Sequence, residues 1–214
     1  MREFSPDSPL GNPHRSWRVI ASIGAGLMAM LSMWFFIDDA LPYFAVTEES
    51  YGRFWHRTGW LLSHVVGGSL ALLSGPVQLW SGISRRHLTL HRWSGRLYVL
   101  GAALGAITAL QLAFNTESWT FGVALFVGGV IWLATTAMGL VAALQRRIKA
   151  HREWMQRSYT LTFTFVIFRL LLEIPWIEGL GTEPEVSTTI GWLCWLVPLL
   201  VLELSRRIRY EFSA

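Results

Sequence analysis

Arg85–Tyr98, RRHLTLHRWSGRLY, decides the fold, because it joins two long apolar runs through a short cationic turn. Its fourteen residues hold four arginines, two histidines, a Trp and a Tyr. Arg146–Tyr159, RRIKAHREWMQRSY, echoes it ahead of another apolar run. In both, an Arg pair precedes a His-Arg pair, then Trp, Arg and Tyr, and only the His-Arg pair is shifted, by one residue. An imperfect repeat of basic turns between apolar runs is the pattern of a multi-pass membrane protein.

Composition agrees. Of 214 residues, 52% are hydrophobic and 15% charged, against about 25% charged in a typical soluble domain. Mean hydropathy is +0.39. The twelve tryptophans suit a chain with two membrane–water interfaces, where the ring is apolar and the N–H stays wet. The single cysteine, Cys194, lies in an apolar run, forms no intrachain disulfide and reads as a packing residue.

Six apolar runs follow one another: Trp17–Phe36, Gly59–Trp80, Gly95–Phe114, Phe121–Leu144, Tyr159–Ile177 and Thr189–Leu204. Twenty helical residues span roughly 30 Å, one hydrocarbon core. No run alternates with period two, which argues against a barrel. The sequence therefore predicts an all-α, six-helix transmembrane bundle. Residues 1–16 form a disordered tail, 17–204 the membrane domain and 205–214 a basic tail. The first run reads as an anchor, because no small-x-small cleavage site follows it. Ile37–Thr58 and Gly179–Thr188 read as polar loops.

Fifteen of the 18 basic residues fall on one side of this arrangement, with Arg53 and Arg57 opposite. The positive-inside rule predicts a bacterial inner-membrane protein with both termini and the basic loops cytoplasmic. The arginines are then topology signals and contacts for anionic lipid of the bilayer, and nucleic acid is not the partner.

Residues 7, 11, 14 or 18 apart share a helix face. Helix two then carries one stripe of His64, Gly68, Ala71, Gly75 and Gln78. Helix three carries His91, Gly95, Tyr98, Ala102, Gly105 and Ala109, and helix five carries His151, Met155, Ser158, Thr162, Arg169 and Glu173. These small and polar stripes are expected to face one another in a four-helix core of helices two to five, flanked by helices one and six. Small residues alone need no more than close helix packing. Intramembrane ionisable groups are functional candidates by default. Arg169 is placed near the outer end of helix five, with Glu173 one turn on as its expected partner.

His14, His56 and His87 fall in the tail, at the outer mouth of helix two and in a basic loop. His64, His91 and His151 sit on the stripes. His91 and His151 begin helices that run the same way, so they can face each other at one depth. Two imidazoles from neighbouring helices are the axial set of a b-type heme. Arg92, Arg96, Arg152 and Arg157 are placed to pair with its propionates. His64 would then serve a second site or a proton path. A two-heme ladder needs a second histidine on helix two, and Gln78 stands fourteen residues after His64 instead. Copper or zinc also suits imidazole. The lack of Cys-x-x-Cys-His excludes covalent c-type heme. No Gly-rich phosphate loop and no Gly-x-Ser-x-Gly elbow appears, so no catalytic residue is assigned.

GPVQLW (Gly75–Trp80), HRWSGRLY (His91–Tyr98) and HREWMQRSY (His151–Tyr159), with Arg169 downstream, resemble the bacterial membrane family called domain of unknown function 2306. The resemblance covers Gly59 to Glu173, helices two to five. It implies a helical bundle similar to b-type cytochrome folds, and it carries His64, Gln78, His91, Arg92, Gly95, Arg96, His151, Met155, Arg157 and Arg169 as matching positions. It implies no activity.

Three readings follow, each with a geometric signature. An electron-transfer protein with heme b, serving quinone or a redox partner, needs the ligating nitrogens of His91 and His151 about 4 Å apart across one iron. A small-molecule or lipid transporter, or an oxidase assembly factor, without heme, needs His64, Gln78 and Arg169 lining a cavity that reaches the midplane. A purely structural subunit needs closed stripes and a fully paired Arg169.

Overall fold

The computed structural model describes residues 13–84, 87–116 and 118–211, and is helical throughout, with no strand among them. The predicted N-terminal tail up to residue 12, Arg85 and Arg86 of the first basic turn, and residues 212–214 lie outside the described residues. The helices are α1 (Pro13–Phe35), α2 (Glu48–Tyr51), α3 (Thr58–Ser84), α4 (Leu88–Ala113), α5 (Trp119–Leu144), α6 (Ile148–Thr162), α7 (Thr164–Leu172) and α8 (Glu183–Glu211).

Five stretches are long and apolar enough to cross a membrane by length and composition: Ser22–Ala45, Glu48–Ser84, Leu88–Ala113, Trp119–Leu144 and Glu183–Ile208. The fifth expected helix is the one that differs. Its ladder is interrupted at Phe163, which caps α6 and leads directly into α7. Taken together, α6 and α7 run about 37 Å. The helices also outrun their apolar cores at the ends, and the expected basic tail continues α8 as far as Glu211. Arg207 and Glu211 pair there at 3.1 Å, one turn apart.

Ile37–Thr58 is not an irregular loop. It is a π-helix (Phe36–Ala40), a 3₁₀-helix (Leu41–Ala45), α2 and a second 3₁₀-helix (Gly52–Arg57). Thr47 caps α2 by accepting from the Ser50 N–H, so Thr47-Glu48-Glu49-Ser50 closes its own turn.

The closest pairing is α3 on α4. A Cβ on Gly67 would lie 2.5 Å from Gly105 N, and one on Gly101 would lie 2.7 Å from Gly67 O. The two backbones touch, which only glycine permits at these two crossing positions. α4 then packs on α5, and α5 on α6. On the outside, α1 packs on α3, while α8 packs on α5, α6 and α7. Two ion pairs clasp α6 to α8: Arg157 to Glu203 (2.6 Å) and Arg206 to Glu153 (2.8 Å).

The stripes of helices three and five meet as expected. Tyr98 Oη lies 2.7 Å from Ser158 Oγ and 2.8 Å from Thr162 Oγ1, all buried. The fourth helix adds two members the stripes did not include. Trp132 donates its indole N–H to Thr162 (2.9 Å), and Thr136 Oγ1 lies 2.6 Å from Ser158 Oγ. Every hydroxyl of this network is satisfied, so it locks the register of α4, α5 and α6.

Candidate functional site

The bundle has two ends of different character. One carries the short basic turns between α3 and α4 and between α5 and α6, and His91 and His151 sit there. The other carries the Phe36–Arg57 segment, the α4–α5 connection and the α7–α8 connection. His64, near the start of α3, lies toward that second end.

The three stripe histidines share one chemistry. His64 Nδ1 is 2.8 Å from Gly105 O, and His151 Nδ1 is 2.9 Å from Gly139 O. A carbonyl only accepts, so Nδ1 carries the proton in both neutral rings and Nε2 is left as the acceptor. His91 Nδ1 is 2.9 Å from Ser81 Oγ, whose hydroxyl donates to Val77 O at 2.7 Å. Ser81 therefore accepts from His91, and the same tautomer follows. Each ring is pinned to the neighbouring helix of its hairpin by Nδ1 and presents Nε2 elsewhere.

His64 borders a cavity of about 180 Å³ between α3, α4, α5, α7 and α8. Its walls are almost wholly apolar and rich in aromatic rings. Phe165 stands edge-on to the His64 ring at 5.3 Å, and Phe121 stacks on Phe168 at 5.9 Å. Trp132, Leu161, Cys194 and Trp195 also face it. Arg53 and Phe54 of the second 3₁₀-helix also line it. Cys194 is a buried free thiol.

Among the described residues, three buried side-chain polar atoms have no hydrogen-bond partner: Asp39 Oδ2, Thr164 Oγ1 and Trp195 Nε1. Thr164 and Trp195 both line this cavity. Helical threonines normally bond back to the carbonyl one turn earlier. Thr108, Thr135, Thr136, Thr160 and Thr162 all do so here. Thr164 stands just past the interruption at Phe163 and does not.

Other predicted residues fall elsewhere. Gln78 is not among the residues lining this cavity: its amide donates to His91 O and Ser94 Oγ, both at 2.5 Å, and so ties α3 to the start of α4. Arg169 does not take Glu173, which is exposed at the end of α7. It pairs with Asp39 of the π-helix at 2.5 Å. An i,i+4 partner on the same helix end loses to a more buried carboxylate across the interface. Of the arginines expected to meet propionates, Arg157 is held by both oxygens of Glu203, at 2.6 and 2.9 Å. Arg96 lies over the Trp93 ring at 4.6 Å, and Arg92 is exposed. His56 is exposed, and His87 stacks on Trp80 at 5.6 Å. Among the described residues, no three His, Cys, Asp or Glu side chains gather into a metal-holding group.

The sequence missed Thr164, Phe165, Trp132 and Trp195 as cavity residues. Aromatic and apolar residues in an apolar run carry no periodic signal that separates a cavity wall from a lipid-facing side.

A family model described as "Predicted membrane protein (DUF2306)" matches residues 61–205, and the chain belongs to that family. The match takes in α8, beyond the reach of the motif resemblance. No curated protein and no solved structure matches the chain.

Proposed function

We propose that this membrane protein binds a small, largely apolar molecule with one polar head inside the bundle. The molecule occupies the cavity between α3, α5, α7 and α8, and His64 receives its head, as in a carrier of such molecules. One observation carries the reading. A single histidine, fixed as an acceptor by Gly105, borders a largely apolar cavity of about 180 Å³. An engineered apolar cavity of about 150 Å³ takes up benzene, so the size suits one small ring. Sites for small molecules are characteristically apolar with a few placed polar groups.

Toluene, an apolar probe of this size, tests it. Saturating toluene raises the unfolding temperature of the purified protein, and Ala109→Phe, which fills the cavity from α4, removes the rise. A rise of equal size in Ala109→Phe places toluene outside the cavity and contradicts the reading.

The same reading sets the protein in a bacterial inner membrane as six passes, α6 and α7 making the fifth together. The basic turns and both termini are cytoplasmic. The support is that the sequence assigns fifteen of its 18 basic residues to one side. Alkaline phosphatase fused after Gln145 is inactive on this topology and active after Thr116; the reverse pattern overturns it.

A second reading has its own observation. His91 and His151 sit at the same end, each with Nδ1 hydrogen-bonded to the neighbouring helix of its hairpin. Ligating histidines characteristically donate their other N–H to a carbonyl or similar acceptor. These Nδ1 hydrogen bonds are the observation that supports an axial pair for heme b. A bound heme would supply one-electron chemistry, and these two residues would hold it. A Soret band that sharpens on reduction and is lost in His91→Ala and His151→Ala supports this reading; a flat spectrum from folded, heme-supplied protein removes it.

A further inference from the structure

The polar atoms around the cavity specify the head group, and the inference from them rests on the cavity reading above. His64 Nε2 is an acceptor, because Nδ1 holds the proton for Gly105 O. It therefore asks the ligand for a donor. Trp195 Nε1–H is donor-only and has no partner. It asks for an acceptor. The Thr164 hydroxyl, also unpartnered, can give or take. Each such buried group gains by being bonded. A ketone or ether accepts but cannot donate to His64. A carboxylate also only accepts, so it leaves His64 Nε2 without its donor even though Arg53 is among the lining residues. A hydroxyl does both. The walls favour an aromatic body: the Phe165, Phe121, Phe168, Trp132 and Trp195 rings surround a space about one ring in size.

We infer that the cavity takes a hydroxyl-bearing aromatic ring, a phenol or a hydroquinone, whose O–H donates to His64 Nε2. The unpartnered Trp195 Nε1 and Thr164 Oγ1 are closed off in this structure, so the ligand oxygen accepts from one of them as that side chain turns toward it.

Fluorine NMR of the purified protein in lipid nanodiscs tests this with para-fluorophenol, para-fluoroanisole and para-fluorotoluene, each compared with empty discs. The expected result is a bound resonance for all three, with the phenol about tenfold tighter than the anisole, the gain of roughly one hydrogen bond. His64→Phe brings the phenol down to the anisole level while the toluene still binds, which shows that the variant keeps its cavity. Trp195→Phe weakens the phenol and leaves the toluene unchanged. Equal affinity of all three probes, or a phenol preference that survives His64→Phe, overturns the head-group assignment and leaves the cavity standing. No bound resonance for any probe overturns both. The ring can reach the cavity as a free phenol or as the head of a membrane hydroquinone. A decyl-tailed hydroquinone that displaces para-fluorophenol identifies the second source, and one that leaves it bound identifies the first.

Discussion

Arg169 Nε lies 2.5 Å from Asp39 Oδ1 and joins α7 to the π-helical end of α1. The pair is lopsided. The Asp39 side chain is 10% exposed and its second oxygen has no partner, while Arg169 is 52% exposed. Asp39 precedes the family-matched residues 61–205 and Arg169 lies within them. The salt bridge therefore fastens the first helix to the bundle. Single-turn π segments often mark functional positions, and this one turns Asp39 inward.

Because Asp39 is the buried partner, the two deletions are not equivalent. Arg169→Leu strands a buried carboxylate and destabilises by about 2–4 kcal/mol. The double variant Asp39→Leu, Arg169→Leu removes the stranded charge and recovers much of that loss. Unfolding of the purified variants measures both. A double variant less stable than Arg169→Leu alone contradicts this account of the pair.

Two adjacent glycines of α3 separate packing from propensity. Gly67 faces the α4 backbone, and a Cβ on Gly68 meets nothing within 4 Å. Gly68→Ala stabilises by about 0.5–1 kcal/mol, as expected for a helix interior. Gly67→Ala forces α3 and α4 apart and lowers both folded yield and unfolding temperature. Equal effects at the two positions contradict the close α3–α4 crossing.

In the buried network, removing one hydroxyl is cheap and removing the ring is not. Without the Tyr98 hydroxyl, Ser158 keeps Thr136, and Thr162 keeps Trp132. Tyr98→Phe therefore costs about 1 kcal/mol, and Tyr98→Ala about 3–5 kcal/mol. Unfolding midpoints in a common detergent give the two values, and a Phe variant as damaged as the Ala variant contradicts the redundancy.

The clasp at the basic end is weaker than its geometry suggests. Arg157 and Glu203 make a two-pronged contact, with side chains 21% and 46% exposed. A double-mutant cycle with Arg157→Met and Glu203→Gln gives a coupling below about 1 kcal/mol. A larger value shows the pair to be shielded from water.

The sequence reads well where one periodicity governs a helix. The stripe holding Tyr98 and the one holding Ser158 and Thr162 meet as their spacing requires, since satisfied hydroxyls must face inward in a membrane. Helix ends read less well, because basic and acidic residues such as Arg207 and Glu211 extend a helix without raising its hydropathy. The interruption at Phe163 carries no Pro or Gly to announce it. Arg169's partner lies 130 residues earlier in the chain, beyond any helical spacing rule. The cavity escaped for a related reason. His64 was legible as an interior histidine, but the space beside it is defined by rings from four separate helices.

The most direct test is a crystal structure of the protein soaked with iodobenzene, whose anomalous signal locates the probe. The account predicts an iodine peak inside the bundle between His64, Phe165 and Trp195, absent in Ala109→Phe. Iodine found only on the lipid-facing surface, or unchanged in Ala109→Phe, would contradict it.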